Sequence, residues 1–193
     1  MSAARPPVVG SDSGPEAPYP LTMEGKVIAG FGRGSKELGI PTANLPVDSS
    51  LTPWIDSIPS GVYFGHASLR LPAHHPQSPP DGSPFAVFPM VMSIGYNPFY
   101  KNTVRSAEVH VLHTFGADFY GAHMRLLIVG FIREERDYES LGALVEDIET
   151  DCQVARRSLE REAWRAEAVT VEARGEARGD GVGNGAEWLR REL

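Results

Sequence analysis

The sequence predicts a mainly β protein, an antiparallel barrel or sandwich, with one long helix towards its C-terminal end. Two observations lead to this fold class. Strand-like runs recur from the first quarter of the chain onward, and glycine, proline or polar residues separate them without a convincing helix in between. From Leu141 onward, apolar residues fall at helical spacing instead.

Five runs have the length and the composition of β-strands, and turn-forming residues bound each of them. They cover residues 26–31, 62–69, 86–94, 105–115 and 124–133. The most apolar stretch, residues 126–132, is as long as a strand and much shorter than a membrane-spanning helix. We therefore expect no membrane segment in this sequence.

The closing helix is predicted from apolar residues that line one face. They are Leu141, Leu144, Val145, Ile148, Cys152, Ala155 and Leu159. Ser140 or Asp137 is suited to cap the start of this helix. We interpret the apolar face as packed on the sheet, with Cys152 as a buried thiol, and the charged residues between, such as Asp147 and Asp151, as a largely solvated face.

Composition bounds the class of protein. A chain of 193 residues, 41% hydrophobic and 22% charged, fits one soluble globular domain. The formal net charge of -7 argues against nucleic acid as a partner. The single cysteine excludes an internal disulfide and is consistent with a reducing compartment. We expect a cytoplasmic monomer, and the sequence leaves a mitochondrial association open.

The ends of the chain differ in composition from its middle. Residues 1–22 are rich in proline and are predicted to form a disordered N-terminal tail. Residues 166–193 are rich in glycine and acidic residues and are predicted to form a flexible C-terminal tail. The predicted domain is therefore 23–165. Within it, residues 71–84 hold five prolines and read as a loop insertion in which His74 and His75 are exposed to solvent.

Residues 30–44 carry the first signal of chemistry. They combine four glycines with Lys36, Thr42 and Asn44. Glycines allow sharp turns and close approach to a ligand, a lysine can neutralise a phosphate, and side-chain oxygens suit a divalent cation. The spacing matches neither a P-loop nor a dinucleotide fingerprint. Taken alone, such a segment is more often a tight turn than a phosphate site.

Glu108 lies in the middle of an apolar strand. Alternation along residues 107–115 places Glu108, His110 and Leu112 on one face. The other face carries Ala107, Val109, Val111, His113 and Phe115. A shared zinc site for the two histidines is therefore not favoured, and structural roles are. Burying an acidic side chain in such a strand costs free energy unless the side chain is ion-paired, exposed to solvent or needed for function. From the residues alone, an exposed glutamate on an edge strand is the default interpretation.

Several motifs, taken together and in order, resemble the riboflavin kinase family over residues 24–160. They are the loop 30–44 ending in Pro-Thr-Ala-Asn, Gly61-Val-Tyr-Phe-Gly65, Ser93-Ile-Gly-Tyr-Asn-Pro98, Tyr100-Lys-Asn-Thr103, Glu108-Val-His110, His113-Thr-Phe115 and Asp118-Phe-Tyr-Gly121. The resemblance implies a small Greek-key β-barrel that transfers the γ-phosphate of Mg-ATP to the ribityl 5′-hydroxyl of riboflavin, giving FMN and ADP.

The resemblance also implies roles for individual residues. Glu108 falls on the catalytic base of the family, and Thr42 and Asn44 fall on its metal ligands, with Mg²⁺ as the metal and Zn²⁺ as the alternative. ATP would be bound by Gly30, Lys36, Thr42, Val111, His113 and Tyr120, and the flavin by Arg133 and Arg136. The family has a proline after the first of those arginines, whereas this chain has Glu134. Because both metal ligands are neutral, we expect the metal to arrive with ATP.

Two alternatives to a monofunctional kinase follow from the same resemblance. A bifunctional flavin-synthesis enzyme would need a nucleotidyltransferase domain, for which the residues ahead of the match leave no room. A non-catalytic flavin-binding barrel would keep the pocket without turnover. The joint presence of Lys36, Thr42, Asn44 and Glu108 argues against that second alternative.

Overall fold

The computed structural model describes residues 5–29, 39–79, 85–96, 104–172 and 182–192. Eight strands are found in these ranges: β1 (Leu21–Lys26), β2 (Ala43–Leu45), β3 (Gly61–Arg70), β4 (Ala86–Tyr96), β5 (Arg105–Val111), β6 (His123–Glu134), β7 (Thr170–Glu172) and β8 (Val182–Asn184). There are two α-helices, α1 (Leu141–Glu160) and α2 (Gly185–Arg190), and short 3₁₀ turns at Pro53–Asp56 and Glu162–Trp164.

Six of the strands form one antiparallel sheet in the order β1-β6-β3-β4-β5-β2. The sheet curls into a half-barrel, and a bridge between Ile28 and Asn44 brings its two edges together. Two register shifts between β3 and β6, one between Val62 and Tyr63 and one between Phe64 and Gly65, mark bulges that increase the local twist. At Gly65 a Cβ atom would lie 2.0 Å from the carbonyl oxygen of Leu127, so this crossing of the strands requires glycine.

Alternation along the strands produces two hydrophobic clusters. Tyr63, Met92 and Val109 point into the concave interior of the sheet, where the larger cluster lies. Phe64 and Val91 point to the outer face, and α1 covers them with residues that include Ala155 and Leu159. The predicted mainly β fold with one long helix on the sheet is confirmed.

The helix α1 begins where the sequence predicts. The Ser140 hydroxyl accepts a hydrogen bond from the backbone N–H of Ala143 at 3.2 Å and caps the helix. Two details of the predicted helix are wrong. Leu141 is 59% exposed, and Asp151, expected on a solvated face, is buried with 1% exposure because two arginines neutralise it.

The N-terminal segment packs on α1, which differs from the predicted disorder of residues 1–22. The backbone N–H of Val9 donates to the Ser158 hydroxyl at 3.0 Å, and the Trp164 indole N–H donates to the carbonyl of Ser11 at 2.9 Å. Arg5 pairs with Asp151 at 2.5 Å and also with Asp147. The segment from Arg5 to Ser11 is thus attached at several points to α1 and to the turn that follows it.

The C-terminal segment also contributes to the folded structure, in contrast to the predicted flexible tail. Asn184 and Glu187 form a reciprocal capping box at the start of α2. Leu189 on that helix is fully buried, and the Trp188 indole N–H donates to the carbonyl of Leu126 at 3.4 Å. The domain boundaries at 23 and 165 remain predictions. Among the described residues, no helix is both long and apolar enough to cross a membrane.

Candidate active site

A row of side chains crosses the outer face of the sheet beside α1. Asn44 of β2 lies opposite Glu108 of β5, and Glu108 lies opposite Ser93 of β4. Residues directly opposite in an antiparallel pair project to the same face, so the three side chains are neighbours. The register of the sheet therefore brings together the predicted base, Glu108, and one of the predicted metal ligands, Asn44.

Asn44 is the unusual member of this row. It is buried, with 4% exposure, and among the described residues its Nδ2 atom has no hydrogen-bond partner. A buried amide group without a partner loses the free energy of one hydrogen bond, about 1–3 kcal/mol. The two ends of an amide are related by a simple flip, so the unsatisfied position can hold either its nitrogen or its oxygen. Asn44 thus has a buried polar atom that no described residue satisfies.

A second carboxylate, Glu135, approaches the row from the end of β6. A Cβ atom on Gly95 would lie 2.0 Å from Oε1 of Glu135, so the carboxylate rests directly on the glycine backbone. Burial raises the pKa of Glu135, Arg105 and Arg133 act in the opposite direction, and the charge of Glu108 raises it further. Sequence reasoning missed Glu135, because its only signal was an acidic residue just after a strand.

His110 fixes the chain that leads into β2. Its Nδ1 lies 2.8 Å from the carbonyl oxygen of Pro41. Burial lowers the pKa of His110, the bond to Pro41 opposes that shift, and Arg156 adds to it. The neutral ring donates its Nδ1 proton to the carbonyl oxygen of Pro41, three residues before Asn44. The structural role predicted for His110 is confirmed, and it holds the Pro-Thr-Ala-Asn motif against β5.

Three residues predicted to bind the nucleotide lie at or beyond the end of β5. Val111 is buried and points into the inner cluster, whereas His113 and Tyr120 are exposed, Tyr120 to 58%. The ring of His113 lies 4.7 Å from that of Phe88 and 4.9 Å from that of Phe115. This aromatic group at the rim offers flat apolar surfaces, which suit a heteroaromatic ring.

The two arginines predicted to contact the flavin differ in their surroundings. Arg133 is buried and pairs with Asp151 at 2.8 Å and with Asp147 at 3.3 Å. Its guanidinium is therefore ion-paired with two residues of α1, and the predicted flavin contact of Arg133 stays a prediction. Arg136 is 38% exposed and lies 3.6 Å from Asp147. Of the two, Arg136 retains solvent-facing surface for a ligand.

Two further predicted residues, Gly30 and Lys36, lie outside the described residues. Thr42 is described and half-buried, two positions before Asn44. Glu108 is half-buried on the outer face. The structure thus brings Asn44, Glu108 and Glu135 to one region of that face, with Thr42 in the chain just before it.

Comparison with known proteins agrees with the motifs. The family model for riboflavin kinase, or flavokinase, matches residues 17–159. The riboflavin kinase of Pyricularia oryzae is 71% identical, over 85% of this chain and 83% of the relative. That of Neurospora crassa is 50% identical, over 97% of each chain. The crystal structure of riboflavin kinase from Trypanosoma brucei superimposes with a TM-score of 0.60 and 28% identity, over 77% of this chain and 85% of that one.

Proposed function

Because this chain belongs to the riboflavin kinase family, we propose that it transfers the γ-phosphoryl group of ATP to the ribityl 5′-hydroxyl of riboflavin. The products are FMN and ADP. The observation that carries the proposal is the row on the outer face, where Glu108 stands opposite a buried Asn44 whose amide has an unused polar atom. The joint presence of Glu108, Thr42 and Asn44 supports catalysis over a binding module without turnover.

Glu108 is proposed to act on the acceptor hydroxyl. Phosphoryl transfer passes through a loose transition state, so positioning contributes more to the rate than strong base catalysis. A carboxylate that accepts the hydrogen bond of the ribityl hydroxyl orients its oxygen towards the phosphate and takes the proton late. General bases of this kind contribute roughly 10²–10⁴-fold to the rate.

Thr42 and Asn44 are proposed to hold the metal. Both are neutral oxygen ligands, and the unsatisfied amide of Asn44 fits a ligand role. An oxygen-only set favours Mg²⁺ over Zn²⁺, whose usual protein sites contain thiolate or imidazole. When bound, Mg²⁺ neutralises charge on the phosphates. Neutral ligands alone bind a free cation weakly, so the metal is proposed to enter with ATP.

The remaining assignments complete the substrate sites. Gly30 and Lys36 are proposed to cradle the phosphates, and Val111, His113 and Tyr120 to flank the adenine. Arg133 and Arg136 are the proposed flavin contacts, and the ion pairs of Arg133 also fix α1 beside them. The protein is proposed to work as a cytoplasmic monomer whose small-molecule partners are riboflavin and ATP, with no nucleic acid or membrane partner.

The proposed reaction is tested by incubating the purified full chain with ATP, MgCl₂ and riboflavin and separating the flavins by chromatography. We expect FMN to accumulate in proportion to enzyme, together with one ADP for each FMN. Binding of riboflavin without any FMN over hours would favour the non-catalytic alternative. Replacing MgCl₂ by ZnCl₂ at matched concentrations tests the metal, and we expect the higher rate with Mg²⁺.

A further inference from the structure

The proline-rich loop, here residues 71–79, is bonded to the tip of the loop between β5 and β6. Nε2 of His75 lies 3.1 Å from the carbonyl oxygen of Ala117. The backbone N–H of Gly116 donates to Oε1 of Gln77 at 3.2 Å. These two bonds hold consecutive residues of the loop tip, so the proline-rich loop binds it at two adjacent points.

His75 is built into this contact. Although the sequence predicts an exposed side chain, His75 is only 6% exposed. Its Nδ1 accepts a hydrogen bond from the N–H of Gln77 at 3.2 Å. A neutral ring with its proton on Nε2 therefore uses both nitrogens, one within its own loop and one on Ala117. The neighbouring His74 is exposed, as the sequence predicts.

The loop that is held this way carries the rim residues proposed to flank the adenine. The His75 ring packs edge-on to Phe115 at 6.1 Å, and Phe115 in turn contacts His113 at 4.9 Å. At its other end the same loop is bonded to the chain after β1, where the N–H of Gly121 donates to the carbonyl of Val27 at 2.8 Å. One end of the loop is thus fixed by the chain after β1, and its tip is fixed by the proline-rich loop.

We propose that the proline-rich loop is a brace that sets the affinity for ATP, with His75 and Gln77 as positioning residues that do not touch the substrate. This inference rests on the proposed function, because it assigns the β5–β6 loop to the nucleotide. Prolines restrict the conformations open to the unbound loop, so ordering the brace costs less entropy. The nucleotide then meets a rim that is already in place, which raises affinity without adding a contact.

The test uses four variants of the full chain. His75→Ala and Gln77→Leu each remove a bond to the loop tip, whereas Gln77→Glu retains an acceptor oxygen for Gly116. His74→Ala changes the exposed neighbour and is the matched control. Steady-state kinetics gives KM for ATP and for riboflavin separately, calorimetry gives the Kd of ATP, and thermal unfolding reports stability.

We expect KM and Kd for ATP to rise about three- to tenfold in His75→Ala and Gln77→Leu, the change equivalent to one lost hydrogen bond. KM for riboflavin and kcat should stay within about twofold of the wild type, while Gln77→Glu and His74→Ala should resemble it. Unchanged ATP values in both bond-removing variants would overturn the inference. Equal shifts of both KM values, alongside lower stability, would also overturn it, because the role would then be structural.

Failure of the proposed function gives a different result. If the wild type binds ATP and this binding depends on His75 but no FMN forms, the proposed brace is supported and the proposed kinase reaction is wrong. If FMN forms and every variant has the same affinity for ATP, the proposed reaction is supported and the proposed brace is wrong. If the wild type does not bind ATP, both are wrong.

Discussion

Replacing Leu189 by alanine tests whether the C-terminal segment belongs to the folded core. Leu189 lies on α2, is fully buried, and packs in the cluster that α1 forms on the outer face of the sheet. Leucine-to-alanine changes at such positions cost about 2–5 kcal/mol, because transfer free energy is lost and a cavity remains. In a chain of this size each kcal/mol lowers Tm by roughly 2–4 °C. We therefore expect Tm to fall by about 4–20 °C.

The assay is thermal unfolding followed by circular dichroism, without ligands. Arg190→Ala is the matched control, because Arg190 is the exposed neighbour on the same helix. It should change stability by no more than about 0.5 kcal/mol. Equal Tm values for the two variants would refute the reasoning and would support the flexible tail that composition suggests. If Leu189→Ala is destabilised, a fragment of residues 21–165 should also be less stable than the full chain.

Three further predictions concern separate parts of the molecule. Thr42→Ala and Asn44→Ala should each raise the magnesium concentration that gives half-maximal activity. The affinity for riboflavin without nucleotide should stay largely unchanged in both variants. If neither variant changes the magnesium dependence, the metal binds elsewhere. Burial alone would raise the pKa of Glu24, but hydrogen bonds from Arg125 and His123 and the charge of Arg191 outweigh burial and lower it. A carboxylate with a lowered pKa stabilises the folded state at pH values above its unfolded pKa of about 4.3, and this stabilisation is lost as the pH falls. The Tm difference between wild type and Glu24→Gln should therefore close below about pH 4. A Tm difference that does not change with pH would contradict this prediction. Burial raises the pKa of Cys152 to about 11. Iodoacetamide at pH 8 should therefore alkylate the thiol of the native protein on the order of 100-fold more slowly than the thiol of the unfolded protein. Comparable alkylation rates would show that the native thiol is accessible.

The elements with strong local signals could be predicted from the sequence. The strands β3, β4 and β6 and the start of α1 lie within one or two residues of their predicted limits. The three-residue strand β2 was missed, because so short a segment shows no periodicity. The predicted strand 105–115 ends early, at Val111, because the residues that follow form the loop to β6.

The termini show why composition can mislead. Proline and glycine argued for disorder, yet Arg5 reaches Asp147 and Asp151, which lie more than 140 residues away in sequence. Such an ion pair leaves no local pattern. The α2 capping box was readable, since asparagine followed three residues later by glutamate is a helix-start signal. The tryptophan in the same segment, Trp188, was a second indication of packing.

The candidate site also could be predicted from the sequence only in part. Motif resemblance selected Asn44 and Glu108 separately, but their pairing depends on the register between β2 and β5, which the sequence does not encode locally. Glu135 and the burial of Arg133 depend on how β6 meets α1. Long-range geometry of this kind requires the folded structure.

The most direct test of the account is the turnover of Glu108→Gln. Glutamine preserves the size and hydrogen-bonding capacity of the side chain but cannot accept the proton of the ribityl hydroxyl. We predict that kcat falls by roughly 10²–10⁴-fold, while Kd for ATP and for riboflavin, measured by calorimetry, stays within about threefold. Glu149→Gln, an exposed change on α1, should have the kcat of the wild type. A kcat for Glu108→Gln close to that of Glu149→Gln would contradict the account and remove Glu108 from the mechanism.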